Sequence, residues 1–178
     1  MKEHPMKFND EEVRAILDGR KTMARRLVKP QPDEDGLAKS MDGPWRDASG
    51  RVFKCPFREL GGRLWVKEAW CGGQHGFDYQ YRADWPQHDY GPRWMSSTSM
   101  RYEDSRITLE VVAVRVERVQ DILDHEALAE GIDPQKVAAR GWVDARVGFR
   151  VSWDSIYKKK DQDWYANPWV WVAEFKRI

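Results

Sequence analysis

Apolar residues at Val13, Ile16 and Leu17 recur at helical spacing behind the polar run 9–12, and this pattern predicts a short amphipathic helix near the N-terminus. Asn9 is placed to cap it and Glu12, three residues on, to return the bond, as in a capping box. Gly19 supplies the left-handed residue that ends it. The next apolar run, 64–66, follows Gly61 and Gly62 and predicts a short strand. Alternation begins at Ile107, with Leu109 and Val111 on one face, and then jumps to Val112, Val114 and Val116. A one-residue change of phase turns side chains to the other face, so strand 107–119 should carry a bulge or bend near 111–112. Segment 169–175 has few polar positions and predicts a strand buried on both faces or closed against a neighbour. Helices are predicted over 124–130, stopped by Gly131, and over 134–140, where Asp133 caps and Pro134 takes the first position. Phe149, Trp153, Ile156 and Tyr157 mark a further helix.

Between these elements, Gly, Pro and polar residues dominate 29–50 and 71–104, which predicts two long irregular connections. Short strands broken by a few helices fit an α+β domain around a small barrel, and 178 residues suit one domain over 1–178. No run of about 18 apolar residues exists to cross a bilayer. The N-terminus lacks the apolar core of a signal peptide, so a cytoplasmic location is the default expectation.

Charge changes the picture only through clustering. Lys and Arg number 30 against 29 Asp and Glu, so the net charge of +1 makes no general case for nucleic acid. Between positions 14 and 29, however, stand Arg14, Arg20, Lys21, Arg25, Arg26 and Lys29 against the single acid Asp18. That local excess favours an anionic partner, with a solvated basic loop as the alternative. Ten tryptophans provide stacking surfaces for bases. Trp153, Trp169 and Trp171 sit at core periodicity, whereas Trp65, Trp70 and Trp94 adjoin loop sequence and are candidates for a pocket wall. Tyr81 is a further stacking candidate, and Arg82 a reader of a phosphate or base edge. Cys55, Cys71, His75 and His88 lack the paired spacing of a zinc site, and no metal or cofactor is expected.

Gly19, Lys21 and Arg26 match the Gly-x-Lys-x-x-x-x-Arg signature of the ASCH domain family, whose fold is related to the PUA domain and associated with RNA. Segments 55–70, 81–84, 92–94, 105–111, 127–132, 153–157 and 167–175 also resemble phage and prophage members of that family, in the expected order. Beside those relatives, 95–104 looks like an insertion. The resemblance implies a PUA-like mixed barrel with flanking short helices, and RNA or a modified nucleoside as partner. Some members hydrolyse the amide of N4-acetylcytidine with a Lys, a Thr three residues later and a downstream Glu. The Lys falls on Lys21 and the Glu on Glu130, but Ala24 stands where the Thr would be, and its methyl neither attacks a carbonyl nor relays a proton. Thr22 is the nearest hydroxyl in sequence. A hydrolase of this kind would use Glu130 to activate water and Lys21 to hold the oxyanion. Arg20, Arg25, Arg26, Trp65, Tyr81, Arg82 and Trp94 are then the candidate ligand-binding residues. The alternatives are a binding module without catalysis, in which Lys21 and Glu130 form an ion pair tying loop to helix, and a metal-independent ribonuclease using the same basic cleft.

Overall fold

The structure is a computed structural model that describes residues 3–39, 41, 43–72, 78–85 and 92–178. Its strands are β1 (His4–Lys7), β2 (Met23–Leu27), β3 (Ala38–Lys39), β4 (Trp45–Arg46), β5 (Val52–Phe53), β6 (Arg63–Lys67), β7 (Trp70–Cys71), β8 (Gln80–Tyr81), β9 (Thr108–Arg118) and β10 (Trp169–Arg177). The helices are α1 (Asp10–Leu17), α2 (Asp124–Ala129), α3 (Pro134–Ala139) and α4 (Ala145–Ile156). The expected α+β class holds.

The main sheet runs β1-β6-β9-β10-β2, with β1 parallel to β6 and the remaining pairs antiparallel. Its edge strands approach one another: Arg26 on β2 donates to the Lys7 carbonyl on β1 at 3.1 Å, so a side chain links the two ends of the curled sheet. The long β10 lies between β9 and β2, and its residues divide between two cores. Trp171, Ala173 and Phe175 face one apolar cluster with Phe8, Val13, Leu64 and Leu109, while Val170 and Val172 face another with Ala127, Phe149 and Trp153. Burial on both faces explains why the sequence pattern there lacks alternation. On β9, pairing passes from Ala113 opposite Glu174 to Val111 opposite Phe175, so Val112 is the extra residue of the bulge that the phase change predicted.

The stretch 29–50, expected to be irregular, contributes β3 and β4 to a small sheet with β5. Two-residue strands leave no periodicity to read. Helix α1 carries the full Asn9–Glu12 capping box, with both bonds at 2.9 Å. Gly131, with φ of +98°, closes α2 where a Cβ would stand 2.9 Å from that of Ala15 and 3.2 Å from that of Lys21. This glycine allows the end of α2 to lie against α1 and the basic loop.

Candidate functional site

Residues 19–22 are pinned before any ligand is considered. The amides of Arg20 and Lys21 both donate to the Ala15 carbonyl, at 2.8 and 2.9 Å, and the Thr22 amide donates to Ala129 at 2.8 Å. The loop is thereby tied to α1 on one side and α2 on the other. It aims Lys21 at the end of α2, where Nζ donates to the Glu130 carbonyl at 2.8 Å and to its Oε2 at 2.9 Å. Glu12 Oε1 stands 3.5 Å away as a third partner. Lys21 is only 3 % exposed, so the expected ion pair between loop and helix is present and buried.

Along β2 the side chains alternate. Met23 and Leu27 enter the helix-side core, and Arg25 lies between them on the same face, 2 % exposed. Its guanidinium donates to Glu130 Oε1 at 3.1 Å, to Glu126 Oε2 at 2.8 Å and to Glu117 Oε1 at 2.6 Å. Arg115 extends the network through Glu117 at 2.9 Å, Glu174 at 3.1 Å and Glu126. Thus Glu130 is held between two cations, with one carboxylate oxygen on Lys21 and the other on Arg25.

Part of the basic cluster is therefore paired within the fold. Carboxylates distant in sequence converge on the loop and answer its charge. Arg25 is not available to a phosphate, because its nitrogens are committed to buried carboxylates. Arg26 faces the other way, over the Phe8 ring at 5.2 Å, and is the more accessible of the pair.

A cleft of about 720 Å³ opens here, lined by Lys21, Arg25, Arg26, Glu12 and Glu130, with Lys7, Asp10 and Arg82 also on its wall. Phe8, Trp94, Phe149, Trp153 and Tyr157 supply aromatic surface, and Ser96, Ser97, Ser152 and Tyr157 its hydroxyls. Of the expected ligand residues, the structure brings Arg25, Arg26, Arg82 and Trp94 to this cleft beside Lys21 and Glu130. Arg20 instead pairs with Asp18 at 3.1 Å and lines a neighbouring depression. Trp65 packs with Trp70 and Met100 in a separate apolar cluster. Tyr81 packs against the same cluster, donates to the Asp104 carbonyl at 3.0 Å and lies under the Arg106 guanidinium at 4.0 Å. None of the three is on the cleft wall.

Ala24 is fully buried in the first core, opposite Ala173, and does not line the cleft. Thr22 is exposed and does not line it either. The hydroxyls of the cleft come instead from α4 and its C-cap Tyr157 and from the start of a 3₁₀ turn at Ser97–Ser99, where no spacing to Lys21 announces them. Trp153, expected to be core, is both buried and on the wall.

Among the described residues, no group of three or more His, Cys, Asp and Glu is placed to hold a metal ion. His75 and His88 lie outside the described residues. Burial pushes the Cys55 thiol up to about 11, against weaker opposing contacts from the Phe57 and Arg58 amides, so it is not a thiolate at neutral pH. No helix among the described residues is long and apolar enough to cross a membrane.

Burial opposes the charge of Glu12, but Lys21, Arg26 and the Asn9 amide outweigh it and hold the carboxyl below its ordinary value. In Glu126 burial is likewise outweighed, by the Leu123 amide and by Arg25 and Arg115. A carboxyl with a lowered folded-state pKa adds stability that is complete above its unfolded value, about 4.3, and is lost as pH falls through the folded value. Urea unfolding of Glu126→Gln beside the natural protein checks this. The stability gap is expected to be widest near neutral pH and to shrink on acidification; a gap independent of pH would contradict the network.

No protein-family model matches the chain, and no curated protein matches it. Solved structures similar to it include an ASCH domain from Lactobacillus crispatus JV V101, at 12% identity over 99% of this chain and 79% of that one, with a TM-score of 0.43. Another is a protein of the DUF984 family from Enterococcus faecalis V583, at 9% identity over 100% of this chain and 81% of that one, with a TM-score of 0.48.

Proposed function

We propose that this protein binds a nucleotide of single-stranded RNA, or a modified nucleoside, in the cleft beside Lys21. The observation that carries the reading is the composition of that one cleft. Arg26 and Arg82 offer positive charge, and aromatic rings and carboxylates line the wall. Glu12, held ionised at neutral pH, accepts hydrogen bonds, and the exocyclic amine of cytosine is a donor of the kind a carboxylate selects. Rings stack on bases whatever their identity, while the guanidinium groups serve the phosphate.

Titration of single-stranded RNA at rising salt tests this. Arg26→Ala is expected to weaken binding and to reduce the slope of log affinity against log salt by ~0.7, the effect of one lost phosphate contact on a single strand. An unchanged slope would remove Arg26 from the interface.

The buried Lys21–Glu130 pair on the cleft wall favours a second reading, hydrolysis of an N4-acyl amide on cytosine. Glu130 would take a proton from water as its oxygen adds to the acyl carbon, and Lys21 would stabilise the oxyanion. The acyl C–N4 bond then breaks, the proton passes to the departing amine, and acid and free cytosine nucleoside leave. Of the three Lys21 contacts, the one to Glu12 at 3.5 Å is the longest and the one a substrate oxygen would displace. Because Ala24 faces the core, Ala24→Thr is expected to overpack it rather than to raise turnover.

A further inference from the structure

A second cleft of about 830 Å³ adjoins the first and shares Asn9, Asp10, Arg82, Ile132, Ser152 and Ile156 with it. We infer that the two form one groove holding several consecutive nucleotides of a single-stranded RNA, with the second cleft taking those that flank the nucleotide beside Lys21. The inference rests on the reading of the first cleft as a nucleotide site.

Two features of the second cleft point to this occupant. Aromatic surface continues along it: Trp85 of the second cleft meets Trp94 of the first edge-on, with ring centroids 5.8 Å apart, and Trp142 stands farther along the wall. Trp142 is half-buried against Gly148, where a Cβ would come within 2.8 Å of the ring. A glycine inside α4 is unfavourable for a helix, and here it makes room for a flat ring on the groove wall.

Cations accompany the rings. Arg140 lies over Trp142 at 5.2 Å, and neither it nor Arg14 has a carboxylate partner among the described ion pairs. Arg20, Arg82 and Lys136 do pair, with Asp18, Asp10 and Glu11 at 3.1, 2.5 and 2.8 Å. The cation of each pair is exposed, which leaves these pairs weak and open to exchange for phosphate. The remaining acid of the wall, Asp133, is engaged in capping α3 through the Gln135 amide. Alternating rings and exchangeable cations along an open track are the arrangement that binds single strands with little sequence preference.

The test measures affinity for cytidine 5′-monophosphate and for single-stranded oligocytidylates of increasing length, by tryptophan fluorescence. Extension beyond one nucleotide is expected to raise affinity at least about tenfold, the lower part of what one stacked base contributes. Arg140→Glu, a surface change, and Trp142→Ala are expected to remove most of that gain while leaving the mononucleotide affinity within about twofold. If the mononucleotide binds but length adds nothing, or if Arg140→Glu leaves the oligonucleotide affinity unchanged, the groove is overturned and the nucleoside site stands. If neither mononucleotide nor oligonucleotide binds, both readings fall.

Discussion

Arg25→Ala is expected to lower the free energy of unfolding by about 3–5 kcal/mol, the cost of removing one partner from a buried ion network. The reason lies in what is left behind. Glu117 loses two hydrogen bonds from the guanidinium and Glu126 and Glu130 one each, and Glu130 is 8 % exposed, so water does not replace its bond fully. Arg25→Lys is expected to recover only part of the loss, since an ammonium does not present the planar fork that reaches three carboxylates at once. Coupling gives a sharper check. With Glu130→Gln in the background, Arg25→Ala should cost less by about 0.5–3 kcal/mol, the range for residues in one network. Chemical unfolding of the natural protein, the two Arg25 variants, Glu130→Gln and the Arg25→Ala/Glu130→Gln double variant measures all of these terms; simple additivity would mean that the Arg25–Glu130 contact carries no energy.

Lys21→Ala is expected to have the largest effect on activity if the cleft hydrolyses an acylated cytosine. Removal of an oxyanion donor costs about 10²–10³ in turnover. The same substitution also strips Glu130 of two hydrogen bonds and leaves Glu12 without a cation at 3.5 Å, so stability falls as well. Steady-state hydrolysis of N4-acetylcytidine, measured well below the unfolding transition of the variant, separates the two effects. Lys21→Arg keeps the charge and much of the packing, and serves as the comparison. Turnover by the natural protein that Lys21→Ala leaves intact would exclude Lys21 from the chemistry. Nucleotide binding without turnover in any of the proteins is the outcome for a binding module.

Local signals carried much of the fold. The capping box at Asn9, the helix stop at Gly131, the proline start of α3 and the bulge at Val112 each depend on residues within a few positions of one another, and each is present. Lys21 and Glu130 were linked through the family resemblance, not through their spacing, for 109 positions separate them. What local reading could not supply is the answer to the basic cluster. Glu117 reaches Arg25 from β9, Glu126 from the first turn of α2 and Glu130 from its C-terminal end, across sheet and helix contacts that no window of sequence contains. The same limit applies to Trp65 and Tyr81. Their neighbours resembled loop sequence, yet their rings close a satellite apolar cluster with Met100, about 20 to 35 positions away. Glu12 shows the converse: its capping role was legible, while its approach to Lys21 and Arg26 follows only from the way α1 meets β2.

The central claim is that the cleft between β2, the end of α2 and α4 is where a nucleotide binds. A crystal structure of the protein with cytidine 5′-monophosphate tests it most directly. The base is expected among Phe8, Trp94 and the aromatic side chains of α4, with its exocyclic amine toward Glu12 or Glu130 and its phosphate toward Arg26 or Arg82. A nucleotide bound elsewhere on the surface, with this cleft unoccupied at saturating concentration, would contradict the account.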